Sequence, residues 1–173
     1  MANDLIRKIT PNGTTTTFAG SGNSGSSNGA GTLASFNSLS DIAIGSDGYL
    51  YVADAGNKLI RKISPNGLVT TFAGNGNVGS TNGIGTNASF NVPNGIAIDG
   101  SGNILIGDTG NNLIRKITSS GVVSTLAGTG AIGSFNGSLI TTSFYHPAGI
   151  TFDQSGNIYI ADYGNHLIRK IIQ

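Results

Sequence analysis

The sequence predicts an all-β chain built from one repeated, four-stranded antiparallel unit. Three observations carry that prediction. The pentapeptide Leu-Ile-Arg-Lys-Ile recurs at Leu5–Ile9, Leu59–Ile63, Leu113–Ile117 and Leu167–Ile171, 54 residues apart each time. Short β-branched runs alternate with Gly, Asn, Asp and Ser at turn positions. No stretch keeps a 3.6-residue apolar period, so no helix is placed.

The elements follow most plainly in the second unit. Gly95–Asp99 reads as strand a and Asn103–Gly107 as strand b, with Ser101-Gly102 turning between them. Thr109-Gly110-Asn111 turns the chain into strand c, Leu113–Thr118. Ser119–Gly121 turns it again into strand d, Val122–Leu126. A long polar stretch, Ala127 to Tyr145, then leads to the next strand a at Gly149–Asp153. Asn-Gly pairs such as Asn28-Gly29, Asn82-Gly83 and Asn136-Gly137 read as hairpin turns. The repeat units span 3–56, 57–110 and 111–164, with an overhang of 165–173. Such regularity, without an insertion, points to recent duplication or human construction.

Composition bounds the function. Gly is 28 of 173 residues and charged residues are 10%, which would suit a disordered chain if no period existed. There is no Cys, which excludes disulfides, zinc–thiolate sites and a Cys nucleophile. The net charge of +1 gives no broad basic field for nucleic acid or an acidic membrane. No apolar run approaches the roughly 20 residues of a membrane span. Met1–Ile9 lacks the apolar core of a signal peptide, and the compartment is not indicated. All eight acids are Asp, a composition suited to turns.

A four-stranded unit cannot bury both faces alone. Radial stacking of such units does so, which is a β-propeller. A parallel β-helix would also be periodic, but the unit has no internal 18-residue similarity and many hairpin signals. Asn103–Ile117 resembles the NHL repeat, and Asn157–Ile171 resembles it more closely, with Asn165-His166-Leu167 in place. Pro93-Asn94-Gly95-Ile96-Ala97 and Pro147-Ala148-Gly149-Ile150 are similar to the family's Pro-x-Gly approach to the innermost strand. The resemblance covers essentially the whole chain and implies a propeller, usually six-bladed. The first unit departs, with Leu39, Asp41 and Gly45 where the others have Pro, Gly and Asp.

Three four-stranded blades per chain are too few for the usual ring of about four to eight. The expectation is a homodimer closing one six-bladed ring. The chain opens with strands c and d (Leu5–Ile9, Thr14–Phe18) and closes with a, b and c (Ile150–Asp153, Ile158–Asp162, Leu167–Ile171). Blade closure across subunits is therefore expected between Thr14, Thr15, Thr16, Thr17 and Phe18 of one chain and Leu167, Ile168, Arg169, Lys170 and Ile171 of the other. One c strand is then surplus: Leu5–Ile9 or Leu167–Ile171 must yield.

The chemistry-bearing residues point to architecture. Asp54, Asp108 and Asp162 end strand b, and Arg61, Arg115 and Arg169 lie on strand c, where a hairpin pairing Val52 with Arg61 turns both side chains the same way. Repetition in every unit makes them structural pairs, with Asp also capping turn amides. Phe36, Phe90 and Phe144 read as anchors of the long loops. The a–b turns, such as Asp99–Asn103, resemble Ca²⁺ loops only faintly and lack a bidentate Glu. His146 precedes Pro147 near the expected channel mouth and is a weak metal candidate; His166 sits in a solvent-facing turn. Some propeller lyases that resemble this family place metal-binding His there. No nucleophile–base set and no phosphate loop can be assembled. The expectation is a non-enzymatic binding or scaffold module with no cofactor, partnered by itself. The alternatives are a metal-dependent lyase or hydrolase, or an RNA-binding propeller, for which the basic residues are not clustered.

Overall fold

The structure, a computed structural model, describes residues 3–173. The sequence period returns in it as four antiparallel sheets. The first is a hairpin of β1 (Ile6–Ile9) and β2 (Thr15–Ala19). The second runs β3 (Gly29–Ala30), β7 (Leu68–Ala73), β6 (Leu59–Ile63), β5 (Leu50–Asp54), β4 (Leu39–Ile44). The third repeats that order with β8 (Gly83–Ile84), β12 (Val122–Ala127), β11 (Leu113–Ile117), β10 (Ile104–Asp108) and β9 (Pro93–Ile98). The fourth holds β13 (Pro147–Phe152), β14 (Ile158–Asp162) and β15 (Leu167–Ile171).

The all-β class is as expected, but the sheets hold two, five, five and three strands rather than four each. The repeat frame is staggered against the sheets. Each unit gives strands c and d to one sheet and a and b to the next, so three units spread over four sheets. The extra strands, β3 and β8, come from the long connections. Gly29 pairs with Val69 and Gly83 with Val123, so each connection crosses to the outer edge of the following sheet before entering its innermost strand. The described helical residues form only 3₁₀ turns of three residues each.

Sheets stack face to face through three apolar interfaces. Ala19, Phe36, Val52 and Ile63 join the first and second sheets. Ile60, Phe90, Ile106 and Ile117 join the second and third. Ile114, Phe144, Ile158 and Ile160 join the third and fourth. Each buried Ile contributes about 1.5–3 kcal/mol. The innermost strands lie side by side: Ser40 Oγ donates to Pro93 O at 3.2 Å and to Asn94 O at 3.1 Å. A Cβ on Gly95 would stand 2.1 Å from Ala148 O, so that approach of β9 to β13 requires glycine.

The departures of the first unit leave strand a intact, because other groups take over. Asp41, in register with Gly95, accepts from Ile42 N (2.8 Å) and reaches across to Ile96 N (3.0 Å). Its carboxylate thus ties two innermost strands together. At the following turn Gly45 replaces the usual Asp, and Asp47 instead accepts from Tyr49 N and pairs with Lys62.

Candidate functional site

The strongest polar feature is a buried network repeated at each b–c hairpin. Antiparallel register sets Val52 against Arg61, Ile106 against Arg115 and Ile160 against Arg169. Directly opposed side chains share a face, so each Arg turns toward the Asp that ends the b strand. The Asp54–Arg61, Asp108–Arg115 and Asp162–Arg169 pairs close at 2.8, 2.9 and 2.9 Å. All six side chains lie at or below 9% exposure.

Each pair is the centre of a larger set. Asp108 also accepts from Asn91 N (2.8 Å) and Asn111 Nδ2 (2.7 Å). Arg115 also donates to Ser89 O (3.1 Å), Thr81 O (3.1 Å) and Asn82 Oδ1 (2.9 Å). Asn111 donates onward to Gly79 O (2.8 Å). The long loop, the b strand, the turn and the c strand are thereby fixed to one another. The other two copies repeat this pattern about Asp54 with Asn57 and Asn28, and about Asp162 with Asn165 and Asn136. The guanidinium of Arg115 lies 5.3 Å from the Phe90 ring centroid, and Arg61 and Arg169 lie likewise on Phe36 and Phe144. The Nε of Arg61 and of Arg115 is buried without a hydrogen-bond partner. Burial pushes the Asp54 and Asp108 carboxyls above the ordinary value, against the opposing pull of the Asn, backbone and Arg donors.

Two sequence readings change here. The Asp carboxylates do not cap the turn that follows them; those turns have no side-chain cap, and the captured amides are Asn37, Asn91 and Tyr145 in the preceding loops. The Asn28, Asn82 and Asn136 side chains are acceptors for Arg rather than markers of tight hairpins. Their 54-residue recurrence in phase with the Arg was the signal available. In the a–b turns, Asp99 accepts from Ser101 N, Asn103 N and Asn103 Nδ2, which closes a hairpin.

Phe36, Phe90 and Phe144 are buried, each bridged in parallel to its own loop at Ser24, Val78 and Ile132. His146 has φ +52°, donates its amide to Asn112 Oδ1 (2.9 Å) and lies against the Tyr145 ring, tilted by 37° with centroids 4.4 Å apart. Among the described residues, no three His, Cys, Asp or Glu side chains group closely enough to hold a metal ion. His166 occupies the left-handed turn position, φ +56°, shared with Lys58 and Asn112.

The two ends of the stack are open edges. Ile60 and Ile114 of strand c are 0% exposed, whereas the corresponding Ile168 is 73% exposed. Ile63 and Ile117 are 0% exposed, whereas the corresponding Ile9 is 68% exposed. Thr15, Thr16 and Thr17 of β2 are exposed, Phe18 is half-buried, and Thr14 lies just before the strand. Beside β15, where β7 and β12 stand in the second and third sheets, a groove of about 510 Å³ runs past Asn136, Leu139, Phe144 and Ile168.

The NHL repeat profile matches residues 90–117 and 144–171, each running from a loop Phe through strands a, b and c. An NHL repeat-containing protein 2 of Bos taurus is 33% identical over 175 residues, covering 92% of this chain. The chain belongs to the NHL-repeat family. These NHL repeats span 24% of that relative's length. A Bacteroides thetaiotaomicron protein of unknown function has a solved structure with TM-score 0.83 and 25% identity, over 97% of this chain and 42% of the other. An auxiliary nutrient binding protein of Bacteroides ovatus superposes with TM-score 0.79 at 23% identity, over 98% of this chain and 43% of its own, and shares the fold. The NHL repeats here are thus β-propeller sheets in an arrangement that does not close on itself.

Proposed function

We propose that this chain is a non-enzymatic binding or scaffold module, half of a six-bladed propeller that two copies complete. The observation that carries the reading is the complementarity of the open ends. One end is an a–b–c sheet without a fourth strand; the other is a c–d hairpin without an a–b pair. Two chains contribute two five-stranded sheets each, and their end sheets merge into the remaining two blades. The ring buries Ile168 and covers the exposed edge of β15, which as a free edge would invite uncontrolled pairing.

The charged groups support a non-catalytic role. The buried Asp–Arg pairs recur in every unit, each carboxylate bonded to its own Arg, so they build blades rather than hold a reactive pair. The test is the mass in solution by light scattering. A dimer has twice the 17.5 kDa of the chain. A monomer across the micromolar range would overturn the reading.

A further inference from the structure

Resting on that two-chain ring, we infer that β15 keeps its place in the closing blade and receives β2 of a second copy, while β1 is a stand-in that gives way. β15 has the sequence of β1, β6 and β11. In the second sheet Ile60, Arg61, Lys62 and Ile63 pair with Ala73, Thr71, Thr70 and Val69. In the first sheet Ile6, Arg7, Lys8 and Ile9 pair with Ala19, Thr17, Thr16 and Thr15 in the same register, with the same bulge. The free edge of β15 therefore offers β2 the pairing it already makes with β1. Across subunits it sets Ile168 opposite Ala19, Arg169 opposite Thr17, Lys170 opposite Thr16 and Ile171 opposite Thr15.

The two candidates for the c position differ in what they hold. Arg169 is 8% exposed and donates to Asp162, Ser143 O, Phe135 O and Asn136. The turn into β15 is fixed by Asn165 to Asp162 and Gly133 O, and by Gly164 N to Tyr145 O at 2.8 Å. Arg7 is exposed and makes no ion pair among the described residues. A Cβ at Gly164 would lie 2.5 Å from the Tyr145 ring, and the sequence in register with Gly164 places Ala2 there for the N-terminal copy. Displacing β15 would break a completed buried network and ask an ill-fitting segment to rebuild it. Displacing β1 frees residues that are mostly exposed already.

The chain has no Cys, so paired cysteines report the strands directly. Lys170 and Thr16 are both exposed. The variant Thr16→Cys with Lys170→Cys is oxidised mildly and compared with Lys8→Cys with Tyr159→Cys. The second pair becomes opposed only if β1 replaces β15, because Tyr159 now faces Lys170. A covalent dimer from the first variant and not the second supports the exchange. A covalent dimer from the second alone overturns it and leaves the two-chain ring standing. A monomer by light scattering in the unmodified chain overturns both. A chain lacking residues 1–9 serves as the independent check: it still dimerises if β1 is the stand-in, and loses dimerisation if β1 is the strand required.

Discussion

Replacing Asp108 with Ala tests what holds a blade together. The carboxylate is fully buried and accepts from Asn91 N, Asn111 Nδ2 and Arg115 Nη1. Its removal leaves Asn91 N without an acceptor and Arg115 as a buried cation facing only neutral oxygens, those of Ser89, Thr81 and Asn82. Breaking a buried pair at one partner costs about 3–5 kcal/mol. For a chain of this size each kcal/mol moves Tm by about 2–4 °C, so the expected drop is about 6–20 °C. Circular dichroism at fixed protein concentration reads it. The pair is not itself a large source of stability, because taking both charges out of water offsets much of their attraction. The double variant Asp108→Ala with Arg115→Met removes the orphaned charge and is expected to recover much of the loss. A Tm for Asp108→Ala within about 2 °C of the parent would refute the structural role, by the same conversion.

Phe90→Ala empties a site that is 0% exposed between the second and third sheets and is expected to cost about 3–5 kcal/mol by urea unfolding. Thr15→Val should tighten the dimer. Thr15 stands in register with Val69 and Val123, which are 0% and 1% exposed, so ring closure buries its hydroxyl. A fall in dimer Kd of about tenfold, roughly 1.4 kcal/mol, is expected in sedimentation equilibrium. Carboxyl-carbon NMR titration should separate two classes of Asp. Asn157 and nearby backbone amides hold Asp153 below its ordinary value; at Asp99 burial pulls upward, but Asn103 and the turn amides prevail and hold it below as well. Their stabilisation is present above pH 3.8 and fades as pH falls through the lowered folded midpoints. Asp54 and Asp108 titrate above 3.8, so their contribution has the opposite sign, favouring the fold at low pH and fading as pH rises through the raised midpoints.

The strands were legible because the apolar residues and the turn residues recur in one phase. Arg61 facing the Asp54 side of its hairpin followed from register alone. β3 and β8 were not legible: two residues carry no alternation, and Gly29 and Gly83 pair with strands about 40 residues away. Asn28 and Asn82 were misread for a related reason. An Asn before a Gly carries the local signature of a tight turn, and nothing local distinguishes an acceptor for Arg61 or Arg115, 33 residues on. At Asp41 the residue pattern departs from the Gly of the other two units. The across-strand bond to Ile96 N, which depends on a neighbouring sheet, keeps that strand in line.

The central claim is tested most directly by a crystal structure of the 173-residue chain grown from its solution form. Two chains should enclose one channel with six blades, Thr15–Ala19 of each chain lying against Leu167–Ile171 of the other. Single chains with β15 open to solvent, or end sheets joined in any other pairing, would contradict it.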